Sequence, residues 1–255
     1  MFCEILRKGS GVPIVLLHGF LGRGSDWRKM VSHLHGRTCI AFDLPGHGKT
    51  PWSEIKIEDQ LSRSLPLEPI DLVGYSLGGR LAMRFALSHP VRIHSLTLLS
   101  TNYGLSSNAD KTARLQTDQI WAQKILSLPW DEFIFHWYNQ PIFSSLGQNK
   151  QALNEILSAR TLQKPSEPIK ALLTWSLGHQ ICYRDQLLTF SRPIQIAYGE
   201  KDEKLAELYS NWPTASCIAG AGHTLHFESP EEISRFLMPL PSGSGKNFVN
   251  CVLNS

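Results

Sequence analysis

The 255-residue sequence predicts an α/β fold in which a mostly parallel sheet carries helices on both faces and a helical lid is inserted between two strands. Short apolar runs bounded by Gly, Pro or Asp recur along the chain, as buried strands do, and helical stretches lie between several of them. Such alternation is typical of βαβ units. Between residues 103 and 190 it stops, and one helical segment follows another. That interval predicts the lid.

Each predicted element of the core is short and bounded by turn residues. The predicted strands are residues 13–17, 38–42, 70–73, 95–99, 194–198 and 215–219. The predicted core helices are residues 26–34, 54–65, 77–87 and 230–238. Near the N-terminus, a Gly-Ser-Gly turn at residues 9–11 predicts a small antiparallel hairpin at the edge of the sheet.

The lid is predicted as a series of helices separated by breakers. Its helices are expected at residues 110–126, 130–138, 149–158, 167–177 and 184–188. Proline or glycine interrupts the pattern between them, at Pro129, Pro141, Gly147, Pro165 and Gly178. The predicted domains are therefore a core of residues 1–102 and 191–238, a lid of residues 103–190, and a flexible C-terminal tail of residues 239–255.

Composition and charge argue against several classes of protein, including nucleic-acid-binding, membrane and disulfide-rich proteins. A formal net charge of +3, scattered along the chain, gives no basis for binding nucleic acid or an anionic membrane. No apolar run approaches a membrane span, and the N-terminus lacks the apolar core of a signal peptide. Five widely spread cysteines form no CxxC or Cys/His cluster, so neither a disulfide framework nor a metal site is indicated. We expect a cytoplasmic protein, monomeric or weakly homo-oligomeric, without metal or cofactor.

The most informative motif is Gly74-x-Ser76-x-Gly78. It follows a predicted strand and opens a predicted helix, which is the context in which a serine hydroxyl is exposed on a sharp turn. Glycine is needed on both sides because a side chain would collide with the neighbouring backbone. Arg80 follows Ser76 by four residues and therefore lies on the same face of the helix. A fixed cation beside a reactive serine predicts an anionic substrate.

A serine hydroxyl needs a base, and His223 is the first candidate because it lies in a turn directly after the last predicted strand. His226, three residues later, is the second candidate. The acid that orients the histidine should follow the preceding strand, where Asp202 fits the pattern better than either neighbouring glutamate. The chain order Ser76, Asp202, His223 is that of the α/β-hydrolases, which predicts that fold.

An oxyanion hole requires two backbone N–H groups directed at developing negative charge. Leu77, directly after the serine, is predicted to supply one of them. Phe20 is predicted to supply the other, from the His-Gly-Phe-Leu loop after the strand 13–17. A second turn, at residues 43–48, contains His47, which we interpret as structural rather than catalytic.

Three segments are more specific than the motifs shared by all hydrolases of this fold. They are Gly74-Tyr75-Ser76-Leu77-Gly78-Gly79-Arg80, Trp121-Ala122-Gln123 and Phe135-His136-Trp137-Tyr138-Asn139-Gln140-Pro141-Ile142-Phe143. The last of these is close to a signature. Through these segments, and over nearly its whole length, the chain resembles the 2-succinyl-6-hydroxy-2,4-cyclohexadiene-1-carboxylate synthases, α/β-hydrolase-fold lyases of menaquinone biosynthesis.

The resemblance implies a reaction and the residues that perform it. The enzymes of this family remove a proton from 2-succinyl-5-enolpyruvyl-6-hydroxy-3-cyclohexene-1-carboxylate and expel pyruvate. By the same resemblance Ser76, Asp202 and His223 act together as a base, and the serine takes the proton. The implied ligands of this small polycarboxylate are Arg80, Arg114 and Arg160, with Trp137 and Tyr75 lining the pocket.

Two alternatives remain open at the level of sequence. The same triad would serve an ester, thioester or carbon–carbon bond hydrolase that forms an acyl-enzyme, so Ser76 could be a base or a nucleophile. On the first lid helix, Lys111 and Gln116 compete with Arg114 as the substrate ligand.

Overall fold

A seven-stranded sheet is the framework of the part of the chain that the structure, a computed structural model, describes: residues 1–162 and 166–238. Its strands are β1 (Cys3–Arg7), β2 (Ser10–Leu17), β3 (Arg37–Phe42), β4 (Ile70–Tyr75), β5 (Ile93–Leu99), β6 (Ile194–Gly199) and β7 (Ala215–Ile218). They lie in the order β1-β3-β2-β4-β5-β6-β7, and every pair is parallel except β1 with β3. The predicted α/β class is confirmed.

The predicted N-terminal hairpin is wrong. Strand β1 pairs antiparallel with β3, with Cys3 opposite Phe42, and not with β2. The apolar stretch at the end of β2 is buried on both faces, and it lies between the parallel neighbours β3 and β4. Strand β1 lies at the edge of the sheet beyond β3, where a strand pairs on one side only, and this position agrees with its half-exposed side chains.

Helices cover both faces of the sheet. They are α1 (Arg28–Ser32), α2 (Ile57–Ser64), α3 (Leu77–Ser88), α4 (Asn108–Ser127), α5 (Trp130–Tyr138), α6 (Lys150–Thr161), α7 (Pro168–Thr174), α8 (Arg184–Leu188), α9 (Glu203–Tyr209), α10 (Leu225–Glu228) and α11 (Pro230–Leu237). Short 3-10 turns span Gly24–Trp27, Pro90–Arg92, Pro141–Gly147 and Leu177–His179. Among the described residues, no helix is both long and apolar enough to cross a membrane.

Most helix predictions agree with the structure to within a turn, and the differences have local causes. The predicted helix 26–34 is divided into the 3-10 turn Gly24–Trp27 and α1. Pro141 and Gly147 are predicted to interrupt the helices, but the interval between them forms a 3-10 turn, because proline is well suited to a first helical position. The predicted tail, residues 239–255, lies outside the described residues.

The core has one layer on each face of the sheet, as the alternation of side chains along a strand requires. Leu17 packs with Phe42 and Phe85 on one face. Leu16 packs with Trp27 on the other. Because β2 to β7 run parallel, their carboxyl ends lie at one edge of the sheet, and the loops there form the site.

The segment between β5 and β6 carries α4 to α8 and has its own apolar core, which also takes in Leu21 and Phe227 from loops of the sheet. A buried ion pair joins this segment to the sheet: the guanidinium of Arg160 on α6 donates to both carboxylate oxygens of Asp26, at 3.0 and 2.5 Å. Loss of either partner would leave a buried charge unpaired, which is strongly destabilising.

Candidate active site

Ser76 lies on a sharp turn between β4 and α3 and has a left-handed backbone conformation, with φ at +51°. Such a φ is strained for serine and is characteristic of functional positions. A Cβ on Gly74 would lie 2.5 Å from the carbonyl oxygen of Gly78, and one on Gly78 would lie 2.3 Å from that of Leu17. The two glycines of the motif therefore permit the turn that presents the serine hydroxyl at the edge of the sheet.

The structure brings Ser76, His223 and Asp202 into one hydrogen-bonded chain. His223 Nε2 lies 3.1 Å from Ser76 Oγ, and His223 Nδ1 lies 2.6 Å from Asp202 Oδ2. Both Asp202 and His223 are buried. In this arrangement the serine hydroxyl donates to the imidazole and the imidazole donates to the carboxylate, which is the geometry of a proton relay.

His226, the competing histidine, lies away from the relay. Its ring packs against Trp27 and Tyr75, with ring centroids 4.5 Å apart in each case. Burial lowers the pKa of His226 to about 3, so the imidazole is neutral. The structure thus pairs Ser76 with His223.

The predicted oxyanion-hole residues have free backbone amides. Within the described residues, neither the Phe20 N–H nor the Leu77 N–H donates to an acceptor. Leu77 is the first residue of α3, where amides have no partner inside the helix. Gly19 brings the Phe20 loop close to the serine turn, since a Cβ on it would lie 2.6 Å from the ring of Tyr75.

Two buried histidines hold the Phe20 loop against the turn at residues 43–48. The Leu21 amide donates to His47 Nε2 at 3.2 Å, and the Leu44 amide donates to His18 Nε2 at 2.9 Å. Burial lowers the pKa of His18 to about 4 and that of His47 to about 3. Both rings are neutral and can accept these bonds, which agrees with the structural interpretation of His47.

A cleft of about 810 Å³ opens from Ser76 beneath the lid helices, large enough for a small organic substrate. Arg80 lines it and donates to Gln180 Oε1 at 3.3 Å, but among the described residues no carboxylate lies within ion-pair distance of its guanidinium. Burial, together with the charge of Arg114, lowers the pKa of Arg80 to about 9. A partly desolvated cation that no carboxylate contacts directly favours an anionic ligand.

Arg114 also lines the cleft, whereas the competing Lys111 and Gln116 do not. Its Nε lies 2.9 and 3.0 Å from the two carboxylate oxygens of the buried Asp118. This contact orients the side chain and uses only one of the five N–H groups of the guanidinium. The remaining groups are available to a second carboxylate.

Ser76 also lines a smaller chamber of about 50 Å³, together with Arg160 and Tyr75. Arg160 already has a counter-charge in Asp26, and its Nε donates to the Tyr138 hydroxyl at 3.2 Å. Burial raises the pKa of Tyr75 well above its ordinary value, so the phenol keeps its proton. Direct binding of substrate by Arg160 stays a prediction. In the structure, Arg160 connects α6 of the lid to Asp26 of the core.

Aromatic side chains form the wall that the two cavities share. Trp137 packs against Phe20 and Trp121, with ring centroids 4.9 and 5.0 Å apart. The rings of Phe143 and His223 pack edge to face, with their centroids 5.7 Å apart. Trp137 and Phe143, both in the segment 135–143, therefore contact Phe20 and the ring of His223 directly.

Within the described residues, no three metal-ligating side chains come together.

Comparison with known proteins gives consistent matches. A family model described as the alpha/beta hydrolase fold matches residues 12–230. The 2-succinyl-6-hydroxy-2,4-cyclohexadiene-1-carboxylate synthase of Serratia proteamaculans is 31% identical over 250 residues, 92% of this chain and 97% of the relative. That of Salmonella agona is 33% identical over 232 residues, 86% of this chain and 90% of the relative.

The chain belongs to the 2-succinyl-6-hydroxy-2,4-cyclohexadiene-1-carboxylate synthase family. The solved structure of MenH from S. aureus agrees with the synthase fold, with a TM-score of 0.83 at 27% identity, covering 92% of this chain and 95% of that chain. Both the resemblance to the synthases and the α/β-hydrolase fold predicted from the sequence are confirmed.

Asp26, the acidic partner of Arg160, is not predicted from the sequence. Asp26 lies in a 3-10 turn and is separated from Arg160 by 134 residues. No local pattern signals such a pair, because both residue types are common on surfaces. Only the buried position of the turn, next to the fully buried Trp27, indicates that its acid needs a partner.

The buried histidines predict acid sensitivity. The folded-state pKa of His47 lies below the ordinary 6.5, so the unfolded chain binds more protons below that pH, and stability falls as the pH drops. For His47 the loss reaches ~2 kcal/mol by about pH 5. We expect the His47→Gln variant to lose correspondingly less stability between about pH 7 and pH 5, measured from urea unfolding midpoints.

The exposed His35→Gln variant is the matched control and should keep the wild-type pH dependence. An identical loss in the wild type and in His47→Gln would contradict the account of His47 as a neutral acceptor.

Proposed function

We propose that the chain is a lyase of menaquinone biosynthesis. It eliminates pyruvate from 2-succinyl-5-enolpyruvyl-6-hydroxy-3-cyclohexene-1-carboxylate and gives 2-succinyl-6-hydroxy-2,4-cyclohexadiene-1-carboxylate. Membership of the synthase family supports this reaction. The observation that carries it is the joining of the Ser76–His223–Asp202 relay to a cleft in which Arg80 has no carboxylate partner among the described residues. A serine relay beside an unneutralised cation suits proton removal from an anion.

The relay acts as the base in this proposal. Ser76 Oγ takes the proton from substrate carbon while its own proton passes to His223 Nε2, 3.1 Å away. The electron pair of the broken C–H bond at C2 forms a C2=C3 double bond. The pair of the ring double bond moves from C3=C4 to C4=C5, and the C–O bond between C5 and the enolpyruvyl group breaks. Pyruvate leaves as its enolate and receives the proton held by His223. Asp202 stabilises the imidazolium in between.

Charge on the substrate determines how it lies in the cleft. Arg80 and Arg114 bind its carboxylates from one side, and Trp137 covers the ring from the lid. The amides of Phe20 and Leu77 face the region where negative charge develops on substrate oxygen. Arg160 and Tyr75 line the adjoining chamber, which also contains Ser76.

The runner-up is a hydrolase that forms an acyl-enzyme on Ser76. Its support is the same hydrogen bond from Ser76 to His223 and the same pair of free amides, which suit nucleophilic attack on a carbonyl. Rapid turnover of nitrophenyl esters, with an acyl-enzyme visible by mass spectrometry, would favour the hydrolase.

We place this reaction in the cytoplasm. The substrate is a small polycarboxylate and needs no membrane or nucleic-acid partner. Among the described residues, the thiols of Cys3, Cys39 and Cys182 form no disulfide, as is usual for proteins of a reducing compartment.

Pyruvate release is the direct test of the lyase. The wild type should release pyruvate from the enolpyruvyl precursor, and Ser76→Ala should lower kcat by at least ~10²-fold, since the proton-accepting group is lost. A coupled lactate dehydrogenase assay measures the release. Ser88→Ala, an exposed serine on the same helix α3, is the control and should behave as wild type. Absence of pyruvate release by the wild type would overturn the proposal.

Arg80 should discriminate by charge. Arg80→Gln is expected to lower kcat/KM for the precursor roughly 10- to 100-fold, the value of a charge-assisted hydrogen bond, with a much smaller effect on its carboxyl methyl ester. Kinetics on both substrates measure the difference. Arg28→Gln serves as control because the exposed Arg28 pairs with Glu4 and does not line the cleft. Equal losses on both substrates would show that Arg80 is structural.

A further inference from the structure

A single carboxylate brackets the catalytic histidine. Glu228 Oε2 accepts the Gly222 N–H at 2.9 Å, and Glu228 Oε1 accepts the Thr224 N–H at 3.0 Å. The Thr224 hydroxyl donates to the same Oε1 at 2.6 Å. Gly222 and Thr224 are the residues directly before and after His223, so the half-buried carboxylate fixes the backbone on both sides of it.

Within residues 1–162 and 166–238, few other polar contacts hold this stretch of backbone. Upstream, the Lys201 amide donates to the Ala221 carbonyl at 2.9 Å. Downstream, the Phe227 amide donates to the Thr224 carbonyl at 2.9 Å. Between those two points, Glu228 is the acceptor for the amides that flank the histidine. The residue reaches them because the one-turn helix α10 returns its last side chain to the loop that precedes it.

We propose that Glu228 is a positioning residue for His223, one that acts through the backbone of the His223 loop and touches neither substrate nor reacting atoms. Its three accepted hydrogen bonds fix where the imidazole stands between Ser76 Oγ and Asp202 Oδ2. The inference rests on the proposed relay of Ser76, His223 and Asp202, and it holds for any substrate that the relay serves.

Geometry explains why a positioning contact would matter here. The relay depends on two distances measured from one ring, 3.1 Å to Ser76 and 2.6 Å to Asp202. Ser76 is fixed by its turn, and Asp202 is fixed by the Leu205 N–H that it accepts at 3.3 Å. The histidine loop is the third component, and displacement of a reacting group by about 1 Å costs as much as 10²-fold in rate.

Glu228→Gln tests the proposal with little change in shape. The glutamine oxygen still accepts from Thr224, but its NH₂ group faces the Gly222 N–H, so one bond is lost and two donors are opposed. We expect kcat for pyruvate release to fall about tenfold with KM changed less than about twofold, since only the reacting geometry is altered.

A second readout needs no substrate. The His223 Nδ1 proton lies in the 2.6 Å bond to Asp202, and its NMR resonance reports the geometry of that bond. In substrate-free Glu228→Gln this resonance should shift or broaden. Because this measurement is made without precursor, failure of the lyase proposal and failure of the Glu228 proposal are distinguished.

Glu231→Gln is the matched control, since it removes an exposed carboxylate that pairs with Arg235 one turn along the same helix, α11. It should keep the wild-type kcat and resonance. Thr224→Val removes only the hydroxyl bond and should give a smaller change of the same kind, which decides the matter if Glu228→Gln does not fold. Wild-type kcat and an unmoved resonance in a folded Glu228→Gln protein would overturn the proposal, as would wild-type values for both in Thr224→Val.

Discussion

The tight turn at Ser76 is the constraint on which the rest of the site depends. Its positive φ is possible only because Gly74 and Gly78 let β4 and α3 approach each other and the end of β2. The same approach brings the Leu77 amide and the Phe20 loop to one side of the serine. The parallel sheet then determines the remaining components, since the loops after β6 and β7 emerge at the same edge and carry Asp202 and His223.

In the proposed reaction, the lid contributes to the selection of the substrate. Its helices place Arg114 and Trp137 over the cleft, and the buried pair of Arg160 and Asp26 ties α6 to the turn before α1. The three arginines thus differ in their partners. Arg80 has no acid among the described residues, Arg114 is oriented by Asp118, and Arg160 is neutralised inside the protein. In the proposed function, Arg80 and Arg114 therefore bind the anionic substrate in the cleft.

Much of the fold and of the relay could be predicted from sequence because the signals are local. Continuous apolar runs give buried strands, and the Gly-x-Ser-x-Gly elbow implies its own turn geometry. The pairing of β1 with β3 could not be read in this way, since any half-exposed edge strand is compatible with several neighbours. The partners of Arg160 and of the His223 loop depend on contacts between distant segments, for which a single sequence holds no pattern.

In the proposed reaction, Ser76 accepts a proton and does not attack the substrate. The most direct measurement of this is a single-turnover experiment with precursor deuterated at the carbon that loses its proton, with the quenched protein analysed by mass spectrometry. We expect slower pyruvate release from the deuterated substrate and no added mass on the peptide containing Ser76. Release at an unchanged rate, together with a substrate-derived adduct on Ser76, would contradict it.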